Sequence, residues 1–133
     1  MHGINLLNQA LKDCEGKRVL DLGVGAGGHA KAFIAHGAEV AGVDVRESPH
    51  THPKYTHTQL AIELLEPAED AEPFDIVWSC HTLEHLPNPQ MALIQIKKFL
   101  KEDGWLYIAV PSASQDRLHV GHLSLWSPAL LVY

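Results

Sequence analysis

Two carboxylates flank a run of glycines near the start of the chain, and this is the clearest pattern with chemical consequences. Glycines occupy positions 23, 25, 27 and 28, directly after the apolar segment Arg18–Leu22. Glycine permits the tight turn and close ligand approach that are typical of a buried strand passing into a helix. Asp21 precedes this turn, and Asp44 follows it at the distance of about 20 residues that suits a ribose-binding acid. We therefore expect a nucleoside-containing ligand at the end of the first strand.

The glycine spacing alone leaves two kinds of ligand open. Glycines 23, 25 and 28 fit G-x-G-x-x-G, which holds a dinucleotide diphosphate, whereas glycines 23, 25 and 27 fit D-x-G-x-G-x-G. Asp21 favours the second pattern, because its carboxylate would repel a diphosphate and attract a ligand with positive charge. S-adenosylmethionine, which carries a sulfonium and an ammonium, meets that condition. The alternative is that Asp21 only organises the amides of the turn.

Asp44 is predicted to end a second strand, at residues 39–45. A carboxylate there is suited to accept both hydroxyls of an adenosine ribose, since it has two acceptor oxygens. The alternative is a solvated residue at a strand end. Because a ribose occurs in dinucleotides and in S-adenosylmethionine alike, Asp44 supports nucleoside binding without separating the two.

Short apolar runs alternate with helical periodicity along the chain, a pattern typical of βαβ units and a parallel sheet. We predict strands at 18–22, 39–45, 55–60, 74–79 and 105–110, a loop at 46–54 whose histidines are solvated, and a turn at 103–104. Helices are predicted at 4–11, 29–36, less regularly at 61–65, and from the Asn88 cap to about 100. A last helix should begin at Ser127, and Trp105 and Trp126 should lie in the core.

Composition excludes several classes of function. The 133 residues contain 10 lysines and arginines, which are scattered, and 16 acids, so a nucleic-acid partner is not expected. No apolar run approaches the roughly 20 residues of a membrane span, and no signal peptide is visible. Cys14 and Cys80 form neither a CxxC pair nor a disulfide framework. We expect a cytoplasmic protein with no membrane partner.

Five segments, taken in order, resemble class I S-adenosylmethionine-dependent methyltransferases of the small-molecule type, similar to the methyltransferase type 11 and type 12 groups. They are VLDLGVGAG at 19–27, VAGVD at 40–44, FDIV at 74–77, LEHLPNP at 83–89 and LKEDGWL at 100–106. The segment GHLSLWSP at 121–128 resembles the stretch that precedes a later helix in this family. Each segment alone is common, but their order and spacing make the resemblance specific over roughly half of the chain.

The resemblance implies an α/β fold: a doubly wound, mostly parallel, Rossmann-like sheet of order 3-2-1-4-5 with helices on both faces. It implies one S-adenosylmethionine-binding domain over residues 1–133 that is incomplete at its C-terminus, because strands 6 and 7 have no counterpart. The implied function is methyl transfer to an oxygen, nitrogen or carbon atom of a small molecule. An exposed edge of strand 5 would allow a homo-oligomer to form.

The resemblance also assigns the cofactor site residue by residue. It implies that Asp21 lies near the methionine amino group, that the glycine turn lies against the cofactor, and that Asp44 binds the ribose. The backbone of residues 79–81 should flank the methionine end, and the acid that is frequent near the adenine is replaced by Gln59-Leu60-Ala61. The expected cofactor-binding residues are Asp21, Gly23, Val24, Gly25, Gly27, Asp44, Val45, Leu60, Ser79, Cys80 and His81.

Histidines follow the fourth strand, beside the expected position of the methyl group. Ubiquinone-pathway O-methyltransferases have a similar Glu-x-x-Glu-His stretch that binds a divalent metal, and here His81 takes the place of the first glutamate. His81, Glu84 and His85 would make a mixed nitrogen and oxygen site on one turn. Alternatively, His81 or His85 acts as a general base, or the Glu84-His85 pair only orders the loop. We take His81 and His85 as candidate catalytic residues and assign no metal ligand.

Two other functions stay open at this point. The glycine spacing permits an NAD(P)-binding oxidoreductase domain, and the incomplete sheet permits a non-catalytic scaffold. His119 and His122 lie in the loop after strand five, where they would either line the substrate side or pack.

Overall fold

The computed structural model describes residues 2–112, 120–124 and 126, and these form one five-stranded parallel sheet. Its order is β3-β2-β1-β4-β5, which confirms the prediction. The strands are β1 Arg18–Leu22, β2 Glu39–Asp44, β3 Tyr55–Gln59, β4 Phe74–Cys80 and β5 Leu100–Ala109. The helices are α1 His2–Lys12, α2 Gly28–Ala35 and α3 Pro89–Phe99, with 3₁₀ turns at Ile62–Leu64 and Leu83–His85.

Each face of the sheet is covered by helices, as expected where strands are apolar on both sides. Helices α1 and α2 cover one face, where Phe33 packs against Trp78. Helix α3 covers the other face and buries Ile96 against the cluster that contains Val77. The predicted Asn88 cap is confirmed, because its Oδ1 accepts a hydrogen bond of 3.0 Å from the Met91 backbone amide.

Strand β5 differs from the prediction, since it begins at Leu100 and contains residues 103–104 instead of following a turn there. Phe74 of β4 pairs with Leu100 of β5, and the next pair is Ile76 with Trp105. Between these two pairs β5 therefore contains more residues than β4. The extra residues bulge out of the pairing. Trp105, the first paired residue after the bulge, lies outside the core and is 65% exposed. The prediction of a buried Trp105 was wrong, whereas Trp126 is buried as expected.

The ends of β2 and β3 also differ by one residue from the prediction. β2 stops at Asp44 and β3 at Gln59, so that Val45 and Leu60 belong to loops. The helical stretch predicted at 61–65 is only the 3₁₀ turn Ile62–Leu64. Pro67 disfavours helical backbone at the residue before it, which limits any continuation of that turn.

The chain reverses its winding direction at β1, which pairs with β2 on one side and β4 on the other. In open parallel sheets such a switch point leaves a crevice at the carboxyl ends of the strands. Within the described residues no helix has the length and apolar character needed to cross a bilayer. His119 and the helix predicted from Ser127 lie outside the described residues.

Candidate active site at the switch point

A cavity of about 590 Å³ opens at the carboxyl ends of β1, β2 and β4. This volume is typical of sites for small molecules and cofactors. The loops after β1, β2, β3 and β4 all contribute to its wall, so residues that are distant in sequence meet there. The lining residues are Gly23, Asp44, Val45, Arg46, Leu60, Ala61, Ile62, Glu63, His81, Thr82, His85, Leu86 and Pro87.

The residues predicted from the sequence divide into three groups around this cavity. Its wall includes the predicted residues Gly23, Asp44, Val45, Leu60, His81 and His85. Asp21, Ser79 and Cys80 lie at the ends of β1 and β4, and the first two are buried. Val24 packs into the core, Gly25 is held by Asp44, and Gly27 lies against His50.

The glycine turn is built around Gly23, whose backbone φ is +75°. Its amide donates to the Val43 carbonyl over 2.7 Å, which fixes the turn against the end of β2. A Cβ atom at this position would overlap the side chain of Thr82, whose hydroxyl donates to the Leu22 carbonyl over 3.0 Å. Gly23 is therefore required by the loop after β4 as well as by backbone conformation, and no local pattern in the sequence indicates this role of Thr82.

We expect Gly23→Ala to destabilise the fold by about 2 to 4 kcal/mol, since it combines left-handed strain with the Thr82 overlap. The matched control is Gly16→Ala, because Gly16 also has a positive φ of 69° but has open space where its Cβ would lie. The control should cost only about 1 to 2 kcal/mol. Urea denaturation measures both values, and equal losses would show that the Thr82 contact contributes nothing.

Asp21 lies at the end of β1 with only 2% of its surface exposed. Its Oδ2 atom has no hydrogen-bond partner among the described residues. Burial, and secondarily the charge of Asp44, raises the pKa of Asp21 to about 7. A buried carboxylate is costly without a positive partner, so this position favours a cationic group.

Asp44 is held in its charged form by the loops around it. Its Oδ2 accepts from the Gly25 amide and its Oδ1 from the Arg46 amide, both over 2.9 Å. Burial opposes ionisation, but these hydrogen bonds and the Arg46 guanidinium hold the pKa of Asp44 below its ordinary value. Oδ2 can accept a further hydrogen bond, and Oδ1 can do so in place of the long 3.4 Å hydrogen bond from Nε of Arg46, which suits a pair of ribose hydroxyls.

The wall beyond Asp44 combines apolar surface with one acid. Val45 is 64% exposed, an unusual state for valine, and Leu60 lies on the same cavity wall. Glu63 also lines this wall, four residues after β3 ends at Gln59. Residues 59–61 contain no acid for the expected adenine, but the 3₁₀ turn Ile62–Leu64 brings Glu63 to the cavity wall.

The turn after β4 is conformationally strained and holds a buried acid. His81 has a φ of +52°, which is uncommon for a residue with a side chain, and 60% of that side chain is exposed. Its Nδ1 lies 3.4 Å from Oε1 of Glu84, which is completely buried. Neither carboxylate oxygen of Glu84 has a hydrogen-bond partner among the described residues.

The residues whose potential metal-ligating atoms lie together are not the three that were expected on the turn after β4. The structure brings Glu84 and His85 together with His122, and one potential ligand atom from each lies within 4.8 Å of the others. The expected third member, His81, is not in that group. The sequence placed His122 only as a loop residue, because nothing local links it to Glu84.

The histidines of the loop after β2 are less solvated than predicted. The His50 ring packs on Tyr55 with 4.7 Å between ring centroids, and its Cβ lies under Gly27. The Tyr55 hydroxyl lies 3.0 Å from Nδ1 of His57. The loop between β2 and β3 therefore contacts the glycine turn through His50. Of His50 and His52 in this loop and His57 in β3, only His52 is exposed.

A parallel sheet with this order, a glycine turn after β1 and an acid at the end of β2 define the Rossmann-like class of nucleoside-binding domains. Within that class, the buried acid before the glycine turn is the feature of the methyltransferase pattern.

Comparisons with known proteins agree with this class. The methyltransferase domain family matches residues 4–130. Ubiquinone biosynthesis O-methyltransferase of Glaesserella parasuis serovar 5 (strain SH0165) is 31% identical in an alignment of length 115. This alignment covers 77% of this chain and 49% of that protein. The chain belongs to the methyltransferase domain family, and its sheet has the strand order of the class I S-adenosylmethionine-dependent methyltransferase fold.

Solved structures show the same fold. The YcgJ protein from Bacillus subtilis is similar with a TM-score of 0.68 and 26% identity, over 82% of this chain and 51% of that one. The 1,6-didemethyltoxoflavin-N1-methyltransferase of Burkholderia thailandensis, solved with 1,6-didemethyltoxoflavin and S-adenosylhomocysteine, has a TM-score of 0.65 and 25% identity, over 78% and 48%. The chain spans about half the length of the relatives it matches.

Proposed function

We propose that this chain binds S-adenosylmethionine in the switch-point cavity and supports methyl transfer to an oxygen, nitrogen or carbon atom of a small molecule. The observation that carries the proposal is Asp21, a buried carboxylate with an unpartnered oxygen next to the glycine turn. A diphosphate would be repelled there, whereas the ammonium of the methionine moiety would be attracted. One similar protein is a ubiquinone biosynthesis O-methyltransferase and another was solved with 1,6-didemethyltoxoflavin, which supports this substrate class.

Different residues along the cavity bind different parts of the cofactor. Asp21 takes the amino group, Asp44 takes the ribose hydroxyls, and Val45 and Leu60 contact the adenine. The rest of the cofactor is held by backbone atoms of the glycine turn and of the end of β4, namely those of Gly23, Val24, Gly25, Gly27, Ser79, Cys80 and His81. Bound S-adenosylmethionine supplies an electrophilic methyl group on a sulfonium.

Alignment of donor and acceptor supplies most of the rate in such a displacement, so the cavity needs no nucleophile of its own. His81 and His85 lie on the wall and are the proposed acceptors of a proton from the methylated atom. The strained backbone of His81 supports a functional role for this turn, since strain of this kind persists where function or surrounding structure requires it.

Isothermal titration calorimetry of the folded chain with S-adenosylmethionine and S-adenosylhomocysteine tests the proposal. We expect both ligands to bind at one site per chain, and NADH to give no heat of binding. Absence of binding by both ligands in a folded sample contradicts the proposal, and tight NADH binding would favour an oxidoreductase domain instead. Binding without methylation of any acceptor would favour a scaffold.

We further propose self-association through the β5 edge and a cytoplasmic location. Among the residues that the structure describes, β5 is the last strand of the sheet order, and Trp105 on it is exposed. The two cysteines are unpaired, which fits a reducing compartment. Light scattering should give the mass of a dimer or larger, falling to that of a monomer in Trp105→Glu; a monomeric unaltered chain would contradict self-association.

A further inference from the structure

The backbone that follows Asp44 lies outside the sheet, yet it controls the orientation of this carboxylate. β2 ends at Asp44, and residues 45–54 belong to no strand, so strand pairing does not fix their position. The amide of Arg46 nevertheless donates to Oδ1 of Asp44 over 2.9 Å. The direction in which Asp44 presents its oxygens therefore depends on what holds the Arg46 backbone in place.

His57 of the neighbouring strand β3 holds that backbone. Its Nε2 lies 2.9 Å from the Arg46 carbonyl oxygen, which only accepts hydrogen bonds, so Nε2 carries the proton and donates it. Nδ1 is then the acceptor, and the Tyr55 hydroxyl lies 3.0 Å from it. Burial raises the pKa of Tyr55, so the hydroxyl keeps the proton that it donates. A neutral His57 therefore has both ring nitrogens hydrogen-bonded in a single orientation.

A second side chain of β3 holds the residue before Arg46. Successive side chains of a strand point to opposite faces, so residues 55, 57 and 59 of β3 share one face. On this face Nε2 of Gln59 donates to the Val45 carbonyl over 3.1 Å. Two consecutive carbonyls after β2 are thus bound by alternate residues of β3. Because Val45 lines the cavity, these contacts connect β3 to the cofactor site.

We propose that His57 is a positioning residue for the methyl donor: it fixes the Arg46 backbone and, through it, the Asp44 carboxylate that takes the ribose hydroxyls. This inference rests on the proposed cofactor site and adds to it a residue that does not line the cavity. Without the hydrogen bonds of His57 the Arg46 amide is free to move, and the Asp44 carboxylate adopts its binding orientation for a smaller fraction of the time. The affinity for the cofactor falls by that fraction.

Titration calorimetry with S-adenosylhomocysteine, and with an analogue that lacks the ribose 2′ and 3′ hydroxyls, tests this role. His57→Phe should weaken binding of the complete ligand by about 3- to 10-fold, the effect of one or two neutral hydrogen bonds, and binding of the analogue by less than about 2-fold. His57→Gln should bind both ligands nearly as well as the unaltered chain, because its amide NH₂ can take the place of Nε2 and donate to the Arg46 carbonyl.

Two further variants make the comparison sharper. The side chain of His57→Asn is shorter and reaches only the position of Nδ1, so this variant should lose affinity as His57→Phe does. Thr58→Val is the matched control, because Thr58 is exposed on the opposite face of β3. The control should leave both affinities unchanged.

Amide hydrogen exchange of the ligand-free chain, followed by NMR, tests the same inference without any cofactor. In His57→Phe the Arg46 amide should exchange at least about 5-fold faster, since the backbone that carries it is released. The Leu60 amide, which donates to the Asp44 carbonyl over 3.0 Å, should exchange as it does in the unaltered chain. An unchanged rate at Arg46 overturns the proposal.

The affinities give three further results that would overturn it. These are an unchanged affinity of His57→Phe for S-adenosylhomocysteine, an equal loss for both ligands, and a His57→Gln variant that binds as weakly as His57→Phe. If His57→Phe fails to fold by circular dichroism, His57→Gln must still bind more tightly than His57→Asn. If the unaltered chain does not bind S-adenosylhomocysteine, the proposed function fails instead, and exchange of the Arg46 amide still decides whether His57 fixes this backbone.

Discussion

Replacing Asp21 with asparagine is expected to weaken S-adenosylhomocysteine binding by about 10- to 100-fold, because a buried charge-assisted hydrogen bond contributes roughly 1.5 to 3 kcal/mol. S-adenosylhomocysteine keeps the amino group that Asp21 is proposed to bind. The same substitution should stabilise the ligand-free chain at pH 8, since it removes an uncompensated buried charge. If Asp21 binds the cofactor at a cost to the stability of the fold, Asp21→Asn should show weaker binding and higher stability together.

The sign of the stability effect follows from the pKa of Asp21, which is raised from 3.8 to about 7 by burial and then by Asp44. Between these two values the folded chain keeps a proton that the unfolded chain has lost. The free energy of unfolding of the ligand-free chain therefore falls as pH rises from about 4 to 7. Above pH 7 the whole penalty is present, and Asp21→Asn should recover roughly 2 to 4 kcal/mol of it.

Differential scanning calorimetry at pH 5 and pH 8 measures the stability change, and titration calorimetry measures the affinity. Asp75→Asn is the matched control, because Asp75 accepts from the Arg18 amide over 2.9 Å and pairs with Lys101, away from the cavity. The control should lose stability and keep its affinity for S-adenosylhomocysteine. An Asp21→Asn variant with unchanged affinity, or with a lower melting temperature at pH 8, would contradict the role of Asp21.

Replacing Asp44 with alanine should weaken S-adenosylhomocysteine binding by about 100- to 1000-fold, since two hydroxyls lose a charged acceptor. Part of the loss would come from the glycine turn, because Asp44 also holds the Gly25 and Arg46 amides. An analogue of S-adenosylhomocysteine without the 2′ and 3′ hydroxyls separates these contributions. Asp44→Ala should bind that analogue less than about 10-fold more weakly than the unaltered chain does, and this smaller difference is the contribution of the turn.

Arg46→Ala is the control for Asp44. The Arg46 guanidinium lies 3.4 Å from Oδ1 of Asp44 and is mostly exposed, so its loss should change affinity less than about 3-fold. Titration calorimetry with both ligands on the three proteins gives the comparison. If Asp44→Ala loses as much affinity for the dideoxy analogue as for the complete ligand, Asp44 acts by shaping the turn and does not bind the ribose.

Local patterns in the sequence were sufficient to predict the strands of the sheet and the polar residues at their ends. Apolar runs and helical periodicity identified the strands, and Asp21, Gly23 and Asp44 are each defined by neighbours a few residues away. The strand order came from the family resemblance, and the structure confirms it. These features were predictable because each depends on short-range spacing and on the rule that parallel strands end at one edge of the sheet.

Contacts between distant segments were not predictable in the same way. Thr82 meets Gly23, Glu63 reaches the cavity wall, and His122 meets Glu84 only because separate loops converge. The bulge in β5 likewise exists only relative to β4, so the early start of β5 was not predicted. Spacing along one chain carries no information on such pairs, so a histidine in a loop and a histidine beside a buried acid look alike in sequence.

Proton release on ligand binding at pH 6 tests the assignment of Asp21 most directly. Titration calorimetry with S-adenosylhomocysteine in two buffers of different ionisation enthalpy counts the protons. At this pH most of the ligand-free chains should carry a proton on Asp21, given its pKa of about 7, and an incoming ammonium should expel it. We predict release of close to one proton per ligand, abolished in Asp21→Asn; binding with no proton release would show that the ammonium is not held by this carboxylate.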